Sequence, residues 1–114
     1  MNIEKFKEVI RKRKETDSEW DYGVEQCNRE EIEIICSDIS GAITYLQTEC
    51  TAEEFVYLSE VIIDIAERTH SAKFIESYKS LADKYPEESA SYYIPDMIKD
   101  AEIAVFGGGD GEIS

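Results

Sequence analysis

The sequence predicts an all-α fold: a single small domain of about five helices, arranged as a bundle or as stacked helical hairpins. Apolar residues recur at spacings of three and four in several segments, and no segment alternates apolar and polar residues as a half-buried strand would. With 114 residues, 42% of them hydrophobic, the chain can bury one modest core. We expect residues 1–106 to form this helical domain and residues 107–114, GGGDGEIS, to form a flexible Gly-rich tail.

The first helix is expected over residues 2–14, with Ile3, Phe6 and Val9 on its apolar face. Its last turn contains the run RKRK, and cations are favoured at the C-terminal end of a helix dipole. We therefore expect this basic run to face the acidic body of the protein rather than nucleic acid. The next segment, residues 15–28, has no clear period and contains Gly23, so it is expected to be a connecting loop.

A second helix is predicted from Asn28, as N-cap, to about Gln47, with Gly41 marking a kink or a close helix crossing. Later helices are predicted over residues 72–85 and from Pro95 onward, where proline suits a first turn. The first of these is expected to bury Phe74, Ile75, Tyr78, Leu81 and Tyr85. Between these two helices, residues 86–94 are expected to contain at most a short helical turn, with Pro86 at its start.

The helix between these segments carries a stripe of carboxylates. It begins with a capping box of Thr51 and Glu54, and its apolar residues are Phe55, Leu58, Ile62, Ile65 and Thr69. The acidic stripe on the opposite face consists of Glu53, Tyr57, Glu60, Asp64 and Glu67. Like charges at these spacings cost a few tenths of a kcal/mol per pair, so the stripe favours a cationic partner. Changing Glu60 and Asp64 to Lys is expected to leave folding nearly intact and to slow association with that partner.

The charge of the chain is strongly acidic and unevenly distributed. The net charge is −14, although residues 1–14 contain six Lys or Arg and only two Glu. Such a field repels nucleic acid and anionic membranes and attracts a basic protein, so no direct nucleic-acid binding and no membrane partner are expected. The chain has no run of about 18 apolar residues and no secretory signal, which predicts a cytoplasmic location.

Little in the sequence indicates catalysis or a cofactor. Cys27, Cys36 and Cys50 are odd in number and lack a C-x-x-C pair, so we expect reduced thiols packed as small apolar groups. The single histidine, His70, lies in a turn where polar capping is its expected role. The sequence thus predicts no enzyme, no bound metal and no cofactor.

Aromatic residues outside the expected core are candidates for partner binding. Trp20, Asp21 and Tyr22 combine two rings with a carboxylate, as contact sites often do, but Trp20 could equally fold back onto the core. Tyr92 and Tyr93 could anchor a partner or pack between the last two helices. The sequence leaves both alternatives open.

Three strings together suggest a family: EEFVYLSEVI at 53–62, DIA at 64–66 and FIESYKSLADKYPEE at 74–88. With LADKYPEE as their most characteristic part, they resemble bacterial immunity proteins, including those of contact-dependent growth inhibition systems. The later IPDMIKDAE, at 94–102, is compatible with the same family. Such proteins are small cytosolic partners encoded beside polymorphic toxins.

The resemblance implies an inhibitor that binds the C-terminal domain of a cognate toxin, a basic nuclease by expectation, and neutralises it. The candidate contact residues are the acidic stripe with Trp20, Asp21, Tyr22, Tyr92 and Tyr93. An alternative with the same electrostatics is an acidic adaptor or nucleic-acid mimic that inhibits another DNA- or RNA-binding protein. An enzyme or a small-ligand domain would instead need a pocket with converging polar groups.

Overall fold

The computed structural model describes residues 1–17 and 19–106, which form eight α-helices and no β-strand. The helices are α1 (Ile3–Glu15), α2 (Asp21–Ser37), α3 (Ile39–Thr48), α4 (Ala52–Leu58), α5 (Ile62–Thr69), α6 (Ala72–Lys84), α7 (Pro86–Ser91) and α8 (Ile94–Phe106). The predicted all-α class is confirmed, but the expected number of about five helices is wrong. The predicted Gly-rich tail lies outside the described residues.

Helix α5 is one of the main packing elements of the fold. It packs most extensively against α8 and also contacts α2 and α6, while α1 pairs with α2 and α3 with α6. Ile62, Ile65 and Ala66 of α5 are fully buried. Complete burial of a large aliphatic side chain contributes roughly 1.5–3 kcal/mol, so α5 is a main source of stability.

The apolar faces predicted from helical spacing are largely correct. Phe6 and Val9 of α1, and Phe55 and Leu58 of α4, are fully buried. In α6 the buried residues include Phe74, Ile75, Tyr78 and Leu81. Helical periodicity therefore identified which side of these helices meets the core.

The loop predicted over residues 15–28 is wrong, because α2 already begins at Asp21. Gly23 lies inside α2, where an added Cβ would come within 2.4 Å of Trp20 Cε3. The glycine thus makes room for the indole ring and does not end the helix. Asn28 is likewise an interior residue of α2 and not an N-cap.

The second predicted helix is divided at Asp38, between α2 and α3. The Asp38 carboxylate caps α3 by accepting a hydrogen bond from the backbone N–H of Gly41 at 3.1 Å, and it forms an ion pair with the amine of Met1. An added Cβ on Gly41 would lie 2.6 Å from the Met1 nitrogen. Gly41 is therefore a close-approach position, and the helix break itself lies at Asp38.

The helix predicted to carry the acidic stripe is also divided, at residues 59–61. There the backbone N–H groups of Ser59, Glu60 and Val61 donate to carbonyls three residues earlier, and the Ser59 hydroxyl donates to the Val56 carbonyl at 2.5 Å. Local bonds of this kind compete with the α-helical pattern. The predicted capping box is confirmed, because Thr51 and Glu54 exchange side-chain-to-backbone hydrogen bonds at 3.1 and 3.2 Å.

Two residues with left-handed backbones end helices in the second half of the chain. His70 follows α5 with φ 52°, and its backbone N–H donates to the Ala66 carbonyl, so the backbone provides the cap. Tyr93 has φ 55° and separates α7 from α8. The short helical turn expected at Pro86 is confirmed as α7, with proline as its first residue.

The three cysteines are free thiols, as predicted. Cys27 and Cys50 are buried and Cys36 is half-buried. Burial raises the pKa of Cys50 to about 12. Within the part of the chain that the structure covers, no helix has both the length and the apolar character needed to cross a membrane.

Candidate protein-binding surface

The basic end of α1 lies against α4, along a seam that we call the α1–α4 seam: Arg13, Lys14, Glu53, Tyr57 and Glu60. Arg13 donates from Nε and Nη2 to the two carboxylate oxygens of Glu60, at 2.8 and 2.6 Å. Its guanidinium carbon lies 5.5 Å from the centre of the Tyr57 ring, and Lys14 pairs with Glu53 at 2.9 Å. Three residues of the predicted stripe therefore already contact a cationic side chain of α1.

Arg13 is a buried side chain, with 7% of its surface exposed. The hydrogen bonds with Glu60 raise the pKa of Arg13 above its usual value, so the charged guanidinium group is favoured. Glu60 is exposed, as its place on the stripe predicts, but its carboxylate also binds Arg13, which the sequence did not predict. A lysine at position 60 would place two cations together.

The expectation that the basic run faces the acidic body is confirmed, since Lys12, Arg13 and Lys14 each pair with a carboxylate outside α1. Nearer the start of α1, Lys7 pairs with the buried Glu54 at 3.0 Å, and the Tyr45 hydroxyl donates to Glu54 at 2.7 Å. Burial, followed by the bond to Glu54, raises the pKa of Tyr45 to about 12. Helix α1 is thus fastened to the fold by ion pairs as well as by its apolar face.

Beneath the seam lies Glu31, a carboxyl group that the sequence analysis missed. Its side chain is fully buried, and neither carboxyl oxygen has a hydrogen-bond partner within the described residues. Burial, followed by the negative charge of Glu60, raises the pKa of Glu31 to about 8, while Arg13 opposes the shift. Glu31 is therefore mainly a neutral carboxylic acid at pH 7.

A signal for this burial was present in the sequence. Glu31 follows Cys27 by four residues and precedes Ile34 and Ile35 by three and four, which places all four on one face of α2. The predicted helix start at Asn28 placed Glu31 in a solvated first turn instead, and this hid the pattern.

A second acidic and aromatic region lies where α1 meets α2. We call it the α1–α2 corner: Asp17, Glu19, Trp20, Asp21 and Tyr22. The two rings are 58% and 64% exposed, with centroids 6.0 Å apart. Within residues 1–17 and 19–106, none of the three carboxylates has a cation within ion-pair distance. Of the two alternatives for Trp20, the structure has the ring on Gly23 but largely open to solvent.

A groove lies at each of these regions, and the two grooves adjoin at the end of α1. The corner groove, of about 420 Å³, is lined by residues that include Trp20, Tyr22 and Cys27. The seam groove, of about 380 Å³, is lined by residues that include Tyr57 and Tyr92. Thr16 lines both grooves. The fold therefore places four of the predicted aromatic residues along two grooves that share Thr16.

The other predicted residues are not gathered with these. Asp64 and Glu67 are exposed on α5, beyond the helix break, and neither has an ion pair within the described residues. Tyr93 is 73% exposed at the turn before α8. Tyr92, which does line the seam groove, is 53% exposed, so the structure does not pack the tyrosine pair between the last two helices.

Carboxylates beside exposed aromatic faces suit the binding of ammonium or guanidinium groups. The described residues contain no group of three or more His, Cys, Asp or Glu side chains that could hold a metal ion. The arrangement can thus recognise cations on another molecule.

Comparison with known proteins finds no matching family model, no matching curated protein and no matching solved structure. The resemblance to immunity proteins accordingly stays a prediction from the sequence.

Proposed function

We propose that the protein is an immunity protein that acts in the cytoplasm by binding and neutralising a basic toxin domain, with a nuclease as the expected toxin. One observation carries this proposal. At the α1–α2 corner, two exposed aromatic rings lie among three carboxylates, none of which has a cation within ion-pair distance in the part of the chain described here. Exposed aromatic residues are enriched in the energetically important centres of protein interfaces.

The distribution of ion pairs supports an acidic outer field. Most Lys and Arg side chains in residues 1–17 and 19–106 form ion pairs; the exceptions are Lys5, Lys73, Lys84 and Lys99. The net charge of −14 requires that many carboxylates stay without a cationic partner. Such a field raises the association rate with a basic protein and makes that rate sensitive to salt.

The inhibition follows from the chemistry of a nuclease cleft. A cleft that binds a phosphate backbone presents Lys and Arg side chains, and these also bind carboxylates. A carboxylate surface that occupies the cleft, or a face beside it, prevents the nucleic acid from entering. The protein then needs no catalytic group, and one copy neutralises one toxin.

The test is an affinity capture at low salt with the protein as bait in its native cells, followed by mass spectrometry and purification of the captured protein. We expect one basic protein, bound one-to-one, whose toxicity or nuclease activity is lost when this protein is added. A captured DNA- or RNA-binding protein of the host, without toxicity, would support the adaptor function instead. Capture of no basic protein would contradict both.

Two double variants with equal charge locate the interaction. Asp17→Lys with Asp21→Lys reverses two charges at the corner, and Asp83→Lys with Glu87→Lys reverses two exposed charges on α6 and α7. We expect the first to slow association with the captured toxin at least tenfold more than the second. Equal slowing would mean that only the net charge matters and would contradict a role for the corner.

A further inference from the structure

The corner groove has a floor and walls that the sequence alone did not reveal. Gly23 and Cys27 belong to its lining, together with the exposed rings of Trp20 and Tyr22. The indole lies directly over Gly23, so a Cβ at position 23 would overlap the ring. The rings stand beside a depression of about 420 Å³, which is enough for a long side chain to enter.

The charges around this groove select its occupant. Its lining contains Glu15, Asp17 and Glu30 but only one cation, Lys12, and Lys12 already pairs with Glu30 at 3.2 Å. Glu15 is bound by Arg11, which leaves Asp17 as the lining carboxylate without a cation among the described residues. An entering side chain therefore meets two aromatic faces and the Asp17 carboxylate, which has no cationic partner among the described residues and accepts one hydrogen bond from the backbone N–H of Glu19 at 2.9 Å.

We propose that the corner groove docks an arginine side chain carried by a basic segment of the partner protein. A guanidinium group can stack on Trp20 or Tyr22 and at the same time donate to the Asp17 carboxylate. A lysine can pair with Asp17 but lacks the flat surface for stacking, and an acidic or neutral chain lacks the charge. This inference rests on the proposed function, since it names the group by which the basic partner is recognised.

The protein carries its own reporter for the test. Trp20 is the only tryptophan in the chain, so the fluorescence emission of tryptophan reports the groove alone. The probe is a short capped peptide of alanine with three spaced arginines, titrated at physiological salt. Its two controls replace the arginines with lysine, which keeps the charge, or with citrulline, which keeps the shape.

We expect the arginine peptide to shift the Trp20 emission to shorter wavelength with saturation at one peptide per protein. The affinity for the lysine peptide should be about threefold lower, as the loss of one stacking contact predicts, and the citrulline peptide should cause no shift. Tyr22→Ala should lower the affinity for the arginine peptide about fivefold. Since Tyr22 is 64% exposed, circular dichroism should find this variant folded.

A matched pair of charge variants separates the groove from the general acidic field. Asp17→Asn and Asp83→Asn each remove one carboxylate, from the groove lining and from α6 respectively. We expect Asp17→Asn to weaken binding about threefold more than Asp83→Asn. Equal effects, equal affinity for the arginine and lysine peptides, or heat of binding without any change in Trp20 emission would each overturn the arginine site.

The failure of this inference differs from the failure of the proposed function. If the captured toxin is inhibited but leaves the Trp20 emission unchanged, the protein is an inhibitor and the groove is not its arginine site. If the arginine peptide docks but no captured basic protein is inhibited, the groove is correct and the immunity function is wrong.

Discussion

The α1–α4 seam and the α1–α2 corner consist of the same kinds of residue, yet they differ in where the charges are balanced. At the seam, Arg13 is buried, forks onto Glu60 and lies over Tyr57. At the corner, Trp20 and Tyr22 lie exposed among carboxylates that form no ion pair within residues 1–17 and 19–106. A carboxylate beside an aromatic ring therefore indicates binding only where the fold has not already supplied the cation.

The largest loss of stability is expected at the seam, compared with an exposed ion pair on the same helix. Arg13→Met removes the fork to Glu60 and the contact with Tyr57, and we expect the free energy of unfolding to fall by about 3 kcal/mol. Arg11→Met is the matched control, because Arg11 forms an exposed pair with Glu15 on the same helix. That variant should lose less than about 0.5 kcal/mol in urea denaturation. Equal losses of stability in the two variants would mean that the pair of Arg13 and Glu60 stabilises the fold no more than an exposed ion pair does.

The buried acid beneath the seam predicts a dependence on pH. The pKa of Glu31 is raised to about 8 from 4.5, so the folded state holds this proton more tightly than the unfolded state. Its contribution to stability is complete below pH 4.5 and is lost as the pH rises toward 8, at up to about 1.4 kcal/mol per pH unit.

Glu31→Gln cannot titrate and should avoid this loss. Relative to the parent protein, the variant should therefore gain roughly 2–3 kcal/mol in the free energy of unfolding between pH 5 and pH 7. Comparing the two pH values cancels any constant cost of the buried amide. If the difference in free energy of unfolding between the variant and the parent is the same at pH 5 and at pH 7, Glu31 is ionised in the folded protein.

Two members of the predicted stripe should respond differently to one and the same substitution. Glu60→Lys places a second cation beside the buried Arg13 and should lower the free energy of unfolding by about 2 kcal/mol. Asp64→Lys changes an exposed residue of α5 and should cost less than about 0.5 kcal/mol. Thermal unfolding of both variants at one pH checks this. If Asp64→Lys proves the more harmful, the assignment of the seam is wrong.

The smallest expected effect belongs to the corner. Tyr22→Ala removes an exposed ring whose hydroxyl has a surface hydrogen bond with Gln26, so stability should change by less than about 0.5 kcal/mol. A partner-binding role would appear instead in the affinity for the toxin. A loss of stability above 1 kcal/mol in urea denaturation would show that the corner supports the fold, as the seam does.

Local signals in the sequence predicted much of the fold. The capping box of Thr51 and Glu54, the helix start at Pro86 and the apolar faces of α4 and α6 all depend on residues a few positions apart. Contacts made within one or two turns can be identified without knowing the rest of the molecule.

The errors arose where distant or competing contacts decide the structure. Gly23 was interpreted as a helix breaker because nothing nearby indicated that the Trp20 ring would cover it. The division at residues 59–61 depends on serine and backbone bonds that compete with a regular helix. The cations that pair with two of the four stripe carboxylates come from α1, across the fold, and sequence spacing does not identify such pairs.

The free thiols Cys27 and Cys50 allow the opening of the corner and the opening of the region beside α4 to be followed separately. Cys27 lies beneath the corner, and Cys50 lies beside the start of α4, where the Tyr85 hydroxyl donates to its carbonyl. A buried thiol reacts with an alkylating reagent only when its surroundings open. The order in which Cys27 and Cys50 become labelled would therefore report which part of the molecule opens first, and so whether the surface proposed for binding is also its least stable part.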